Sequence, residues 1–309
     1  MLRDTILAAS RNEKLREFVS TGPLTKGVVE RFVAGEEPLD VIAAANRLTN
    51  DGLNLTVDHL GEDVLDRDAA TGTKDAYLTL LKLISEHQMS SRIEVSVKLS
   101  ALGQALPGDG EKIALDNAFE VVRAATQIGT TVTLDMEDHT TTDSTLGVLR
   151  ELRKETPSVG AVLQSYLLRT EGDCRDLTYE GSRVRLCKGA YKEPASVAFQ
   201  SKSEVDRSYV RCMRVLMMGD GYPMLATHDP RLVEIATSLA LRSQRASGTF
   251  EYQMLLGIRP DEQIRLAQRG EKVRIYVPYG QDWYGYLMRR MAERPANLTF
   301  FLRSLISRG

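Results

Sequence analysis

Near its C-terminal end the chain reads Tyr284-Gly285-Tyr286-Leu287-Met288-Arg289-Arg290-Met291. In a helix Tyr286, Arg289, Arg290 and Glu293 share one flank, with Leu287, Met288 and Met291 on the apolar side. Guanidinium forks match a carboxylate or phosphate in two-point geometry and keep their charge at any working pH, so such a pair can clamp a small anion. Most Arg-Arg dipeptides are only solvated basic edges, so the clamp needs support from elsewhere. Lys98 offers a first candidate, because an inward ammonium requires a counter-charge. It could serve as a Schiff-base nucleophile, an anion ligand or a structural partner of Asp135. Asp135, in Leu-Asp-Met-Glu-Asp-His, has the acidic neighbours Glu137 and Asp138. With only four histidines in the chain, His59, His87, His139 and His228, a metal is disfavoured and none is expected. Arg185-Leu-Cys-Lys188-Gly189-Ala190-Tyr191 combines cations with a glycine that permits close approach to a ligand. Ala226-Thr227-His228-Asp229-Pro230 ends in a credible helix start, and His228 fits cofactor contact better than acid/base work.

Positioning these residues falls to an alternation of short apolar runs and longer helical patterns. The candidate strands are Leu53–Val57, Ile93–Leu99, Thr131–Met136, Val159–Ser165, Val184–Gly189, Pro223–His228, Phe250–Leu255 and Val273–Tyr279. Helical patterns fall near 73–87, 112–128, 143–155, 169–179, 203–218, 230–243 and 260–270, and a last one carries the two arginines. Eight such units over about 250 residues predict a (β/α)₈ barrel, with an open doubly wound sheet as the alternative. In the second strand Ser96, Lys98 and Ser100 oppose Val95, Val97 and Leu99; in the third, Thr131, Thr133, Asp135 and Glu137 oppose Val132, Leu134 and Met136. The period of two turns one set inward and the other toward the helices. Lys98, Asp135, Gln164, Lys188, Tyr191, Thr227, His228 and Tyr276 then gather at strand C-terminal ends or within the last strand, where barrel enzymes carry their chemistry. Residues 1–48 read as an N-terminal helical arm, with helices at Asn12–Phe18, Val28–Phe32 and Pro38–Leu48, and residues 49–309 as the barrel.

Composition narrows the function classes. Hydrophobic residues make up 42% and charged residues 27% of the 309, a globular profile. The 40 Lys+Arg against 42 Asp+Glu leave a net charge of -2, which gives no reason to expect nucleic acid as a partner. Cys174, Cys187 and Cys212 lack metal or disulfide spacing, so reduced thiols in a cytoplasmic protein are expected. No stretch reaches the length of a membrane span, which limits the expectation to peripheral membrane contact. The absence of G-x-G-x-x-G, G-x-x-x-x-G-K-[ST] and G-x-S-x-G disfavours a Rossmann dinucleotide fold, a P-loop and a hydrolase elbow.

Taken together, Val-Ser-Val-Lys98-Leu-Ser, Leu-Asp135-Met-Glu, Val-Leu-Gln164-Ser-Tyr, Val-Arg185-Leu-Cys-Lys-Gly-Ala-Tyr191, Ala-Thr227-His228, Tyr-Gln-Met-Leu255, Arg-Ile-Tyr276-Val-Pro-Tyr-Gly and Tyr-Leu-Met-Arg289-Arg290 resemble proline dehydrogenase, in order, from about residue 50 to 301. The resemblance is to the short monofunctional bacterial enzymes. It implies a distorted (βα)₈ barrel with FAD at the strand C-termini and the last helix over the mouth. It further implies oxidation of L-proline to Δ1-pyrroline-5-carboxylate by hydride transfer to flavin N5, with electrons passed to a membrane quinone. On this resemblance Lys98, Arg289 and Arg290 hold the proline carboxylate, Tyr276 and Tyr191 wall the ring, and Leu255 makes an apolar contact. Asp135 and Arg185 take the catalytic assignments; Met136, Gln164, Arg185, Lys188, Gly189, Ala190, Thr227 and His228 contact the flavin. No second-step oxidation and no repressor role are expected, and a separate Δ1-pyrroline-5-carboxylate dehydrogenase is among the expected partners. The competing expectations are an aldolase or lyase using Lys98 as a Schiff base, and a non-catalytic barrel scaffold.

Overall fold

Eight parallel strands pair in chain order and close on themselves. They are β1 Asn54–His59, β2 Ile93–Val97, β3 Val132–Leu134, β4 Gly160–Gln164, β5 Arg183–Cys187, β6 Tyr222–Ala226, β7 Glu251–Leu255 and β8 Val273–Tyr279. The structure is a computed structural model that describes residues 29–293, without the side chains of Arg289 and residues 291–293. The expected helix at Asn12–Phe18 and the chain beyond 293 lie outside the described residues. Closure runs through β1 and β8, with Asn54 opposite Arg274 and His59 opposite Tyr279. This is the barrel and not the open sheet. All eight predicted strands are present, and their ends differ from expectation by at most two residues.

Those end differences have a physical cause. β2 stops at Val97 because the chain turns into a short 3₁₀ helix at Ser100–Leu102, and β3 stops at Leu134. Lys98 and Asp135 therefore sit one residue past their ladders. Around the sheet lie α1 Pro38–Asn50, α2 Arg67–Glu86, α3 Gly110–Gln127, α4 Thr142–Glu155, α5 Thr170–Asp176, α6 Lys202–Met218, α7 Pro230–Arg242, α8 Pro260–Gln268 and α9 Trp283–Glu293. Helix α2 begins six residues before the predicted start at 73, because the Asp66 side chain caps it by accepting the Ala69 N–H. Pro230 and Pro260 open α7 and α8 at the first-turn positions where a missing N–H costs nothing.

The outward strand residues Leu55, Val57, Val95, Val97, Val132, Leu134, Leu186, Ile275 and Val277 form one buried cluster with the inner faces of the helices. Each such side chain contributes about 1.5–3 kcal/mol relative to exposure. Val41, Ile42 and Ala45 of α1 belong to the same cluster, and the preceding segment is tied to the end of β8 through Ala34 N to Pro278 O and Gly280 N to Gly35 O. A second cluster joins Trp283, Tyr284, Tyr286, Leu287 and Met288 of α9 to Phe32, Val33, Leu60 and Ile258. Leu60 follows β1 and Ile258 follows β7, so α9 lies across the C-terminal end of the barrel. No described helix is long and apolar enough to cross a membrane.

Candidate active site

Inside the barrel the polar faces of the strands stack in layers. At the floor, Glu94 of β2 and Glu251 of β7 meet Arg183 of β5 and Arg274 of β8. Arg274 Nε donates to Glu251 Oε1 at 2.7 Å and lies 3.7 Å from Glu94 Oε1, while Arg183 Nη2 pairs with Glu94. Burial alone would raise the Glu94 carboxyl, but the guanidiniums of Arg183, Arg274 and Arg185 outweigh it and hold Glu94 well below the usual carboxylate range. Against its burial, Arg274 holds the Glu251 carboxyl down in the same way, so both acids stay ionised; losing one partner would leave an uncompensated buried charge.

Above this floor Arg185 spreads its donors across four strands. Its Nη1 donates to Asp135 Oδ1 at 2.6 Å and to Ser96 Oγ at 2.9 Å. Nε donates to Gln253 Oε1 at 2.6 Å, and Nη2 to Thr56 Oγ1 at 3.2 Å. Asp135 also accepts from Ser96 Oγ at 2.8 Å and, through Oδ2, from the Tyr276 hydroxyl at 2.8 Å. Burial first, then the Asp135 and Asp58 carboxylates, push the Tyr276 phenol well above its ordinary value, so it remains a donor. The Arg185 guanidinium lies 5.5 Å from the Tyr276 ring centroid. Asp135, Arg185 and Tyr276, singled out separately in the sequence, thus form one hydrogen-bonded group.

Lys98 lies at the top of the same interior. Its Nζ donates to both oxygens of Asp58, at 2.8 and 2.7 Å, and not to Asp135 as one expectation held. The reason is register: Asp58 stands on β1 directly beside β2, with Asp58 paired to Ser96. Burial pulls the Lys98 ammonium down, but Asp58 and then Asp135 overcome it, and its pKa is raised. A Schiff-base nucleophile has to be neutral, so this lysine is set for charge and not for that reaction.

Along the rim at β5 and β6, Lys188 pairs with Asp206 at 2.5 Å and Asp229 at 3.5 Å, with Lys202 and Arg231 on the same carboxylates. Three cations share two acids there. Gly189 has φ +106°, and a Cβ at that position would overlap the Tyr166 ring, so only glycine fits. Ala190 and Tyr191 are exposed, Tyr191 by 39%. Gln164 Nε2 donates to the Glu137 carbonyl at 2.6 Å, and Met136 and Thr227 are buried nearby in sequence at the ends of β3 and β6. His228 Nε2 accepts the Leu255 N–H at 2.9 Å, which places the proton of the neutral ring on Nδ1. On α9, the Arg290 guanidinium lies 5.2 Å from the Tyr286 ring centroid. The Arg289 side chain, expected beside Lys98, lies outside the described residues. Among the described residues no three His, Cys, Asp or Glu cluster as metal ligands.

Sequence reasoning missed Asp58, Glu94, Glu251 and Gln253. The signal for the first was present: Asn54, Thr56 and Asp58 alternate with Leu55 and Val57, but ending β1 at Val57 cut off the last inward residue.

With this geometry in view, similarity to known proteins is informative. Residues 41–303 match the family described as Proline dehydrogenase. Proline dehydrogenase 1 of Bacillus subtilis (strain 168) is 36% identical over 308 residues, covering 100% of both chains. The proline dehydrogenase of Deinococcus radiodurans is 40% identical over 281 residues, 90% of each chain. Among solved structures, proline utilization A of Bdellovibrio bacteriovorus inactivated by N-propargylglycine superposes with a TM-score of 0.81 at 24% identity, over 92% of this chain and 34% of that one. This chain spans about a third of that longer protein, and at that identity the likeness speaks for the barrel fold. The family match and the near full-length relatives carry the conclusion: the chain belongs to the proline dehydrogenase family of enzymes.

Proposed function

We propose that the enzyme oxidises L-proline to Δ1-pyrroline-5-carboxylate with FAD as cofactor and passes the electrons to a membrane quinone, which it meets by peripheral contact. The observation that carries this reading is the group Asp135–Arg185–Tyr276 beside the charged Lys98–Asp58 pair, at the end of the barrel that α9 covers. Bound FAD would supply the hydride acceptor.

The residues present fit such a group. The close packing of Tyr166 against Gly189 leaves bare backbone at that position, two residues past the end of β5, and Ala190 beside it is exposed. Lys188, Lys202 and Arg231 outnumber Asp206 and Asp229, which suits a pyrophosphate. Met136, Gln164, Arg185, Thr227 and His228 complete the cofactor-binding set, with Lys188, Gly189 and Ala190.

On the substrate side, the two bonds to Asp58 occupy two of the three Lys98 ammonium donors and leave the third for the proline carboxylate. Because Asp58 already balances Lys98, the carboxylate draws its counter-charge from Arg289 and Arg290. Tyr276 and Tyr191 flank the ring and Leu255 touches it. Fixing the acid end in this way sets the opposite carbon in place, a positioning effect more than acid/base catalysis. Asp135 and Arg185 organise the field around the reacting amine. That amine has to be deprotonated, so activity rises above neutral pH.

A visible absorption spectrum of the purified protein before and after L-proline tests the reading. Flavin bands that bleach on addition of proline are expected. A colourless protein that FAD cannot reconstitute, or bands that proline leaves intact, would refute it.

A further inference from the structure

Gln253 lies on the inward face of β7, 3% exposed, between the floor of charges and the Arg185 layer. Its amide is used at both ends. Oε1 accepts from Arg185 Nε at 2.6 Å, and Nε2 donates to Glu251 Oε1 at 2.7 Å. Glu251 in turn is gripped by Arg274 through Nε at 2.7 Å and Nη2 at 3.2 Å, and accepts from the Tyr222 hydroxyl at 3.1 Å. These partners dictate the orientation of the amide: reversed, its NH₂ would face a guanidinium and its oxygen a carboxylate. A rigid path therefore runs from the Arg274–Glu251 pair through Gln253 to Arg185.

Arg185 needs such a fixed point because carboxylates compete for it. Asp135 draws Nη1 toward the mouth at 2.6 Å, while Glu94 lies 3.6 Å from Nη2 on the floor side. At these separations in a buried site either attraction is large. We propose that Gln253 is a positioning residue for the reaction: by holding Nε it keeps the Arg185 guanidinium turned up to Asp135 and away from Glu94. Nothing about Gln253 requires contact with substrate or cofactor; it acts through Arg185. The inference rests on the role given to Arg185 under the proposed function.

The test is a double-mutant cycle of Gln253→Met and Arg185→Lys in the FAD-loaded protein, read as kcat and KM for L-proline, the flavin reduction potential and Tm. Gln253→Met should lower kcat roughly tenfold, the usual scale for a lost hydrogen bond to a charged group, with KM changed by less than about twofold. It should also shift the potential in the same direction as Arg185→Lys. In the Arg185→Lys background, where Nε no longer exists, Gln253→Met should change kcat and potential by less than about twofold and not measurably, respectively. Equal effects in both backgrounds, or parental kcat and potential in folded Gln253→Met, would overturn the proposal. If Gln253→Met does not fold, Gln253→Asn withdraws the amide by one methylene and should give the same kcat loss; full activity in that variant overturns the proposal equally. Parental kcat and potential in Arg185→Lys alone would instead refute the role of Arg185, and the inference with it.

Discussion

Asp58→Asn removes the charge that faces Lys98 while keeping the shape of the side chain. In the parent the pair is bidentate, with side-chain exposures of 2% for Asp58 and 13% for Lys98, so solvent screens it little. Breaking one partner of a buried pair costs about 3 kcal/mol or more, because the remaining charge is left uncompensated. At about 2.1 cal/mol/K of unfolding entropy per residue, a chain of 309 residues should lose roughly 5 °C in Tm. Lys98→Met alone strands the carboxylate and should cost a similar amount. The double variant removes both charges and should lose less than either single variant, so the two losses are far from additive. The pH dependence follows from the raised pKa of Lys98. Its stabilising contribution is fully present below the ordinary lysine value of 10.5 and is lost only as pH rises through the higher folded-state value. Thermal unfolding of the four proteins between about pH 6 and about pH 9 measures all of this. Additive single losses, or a parent-to-variant difference that grows as pH rises, would refute the reasoning.

The hydroxyl and the ring of Tyr276 can be separated. Tyr276→Phe removes the 2.8 Å donor to Asp135 and should lower kcat, with about 1–2 kcal/mol of lost stability, while Tyr276→Ser opens space and should improve 4-hydroxyproline relative to proline in kcat/KM. An unchanged hydroxyproline ratio would reject the steric role of the ring. Arg290→Met should raise KM for L-proline while flavin absorbance per protein stays at the parental level; parental KM would count against the clamp. Gly189→Ala forces a side chain into a φ of +106° and into the Tyr166 ring, a strain of about 1–3 kcal/mol. Its FAD content after gel filtration should fall while far-ultraviolet circular dichroism stays unchanged, and full retention would show that the β5 turn tolerates the methyl.

The alternation of β2 and β3 made the barrel legible, because polar and apolar residues there keep strict turns and a strand has only two faces. The same rule placed Lys98, Asp135 and Tyr276 inside. Face, however, is not partner. That Lys98 meets Asp58 depends on β1 lying beside β2, and that Arg185 reaches both Asp135 and Gln253 depends on closure of the sheet across the interior. Neither follows from a period of two. Gln253 was further hidden by chemistry, since an uncharged amide between Tyr252 and Met254 looks like any half-polar strand position. The start of α2 was obscured by Gly72 and the threonines around it, which weaken the helical pattern that the Asp66 cap restores.

Charge balance explains why the carboxylate clamp is expected on α9 and not within the strands. Among the described inward residues, Asp58, Glu94, Asp135 and Glu251 stand against Lys98, Arg183, Arg185 and Arg274. A cation already satisfied by an acid at 2.7 Å offers little net attraction to a second anion, so the barrel interior alone is a weak anion site. The arginines of α9, a helix that lies over the mouth, stand outside that interior set of pairs. The two classes of cation should therefore fail differently when removed. Loss of an interior charge leaves its partner uncompensated in a medium of low dielectric and lowers stability first. Removal of Arg290 leaves those interior pairs intact, so its effect should fall first on substrate affinity, read as KM for L-proline.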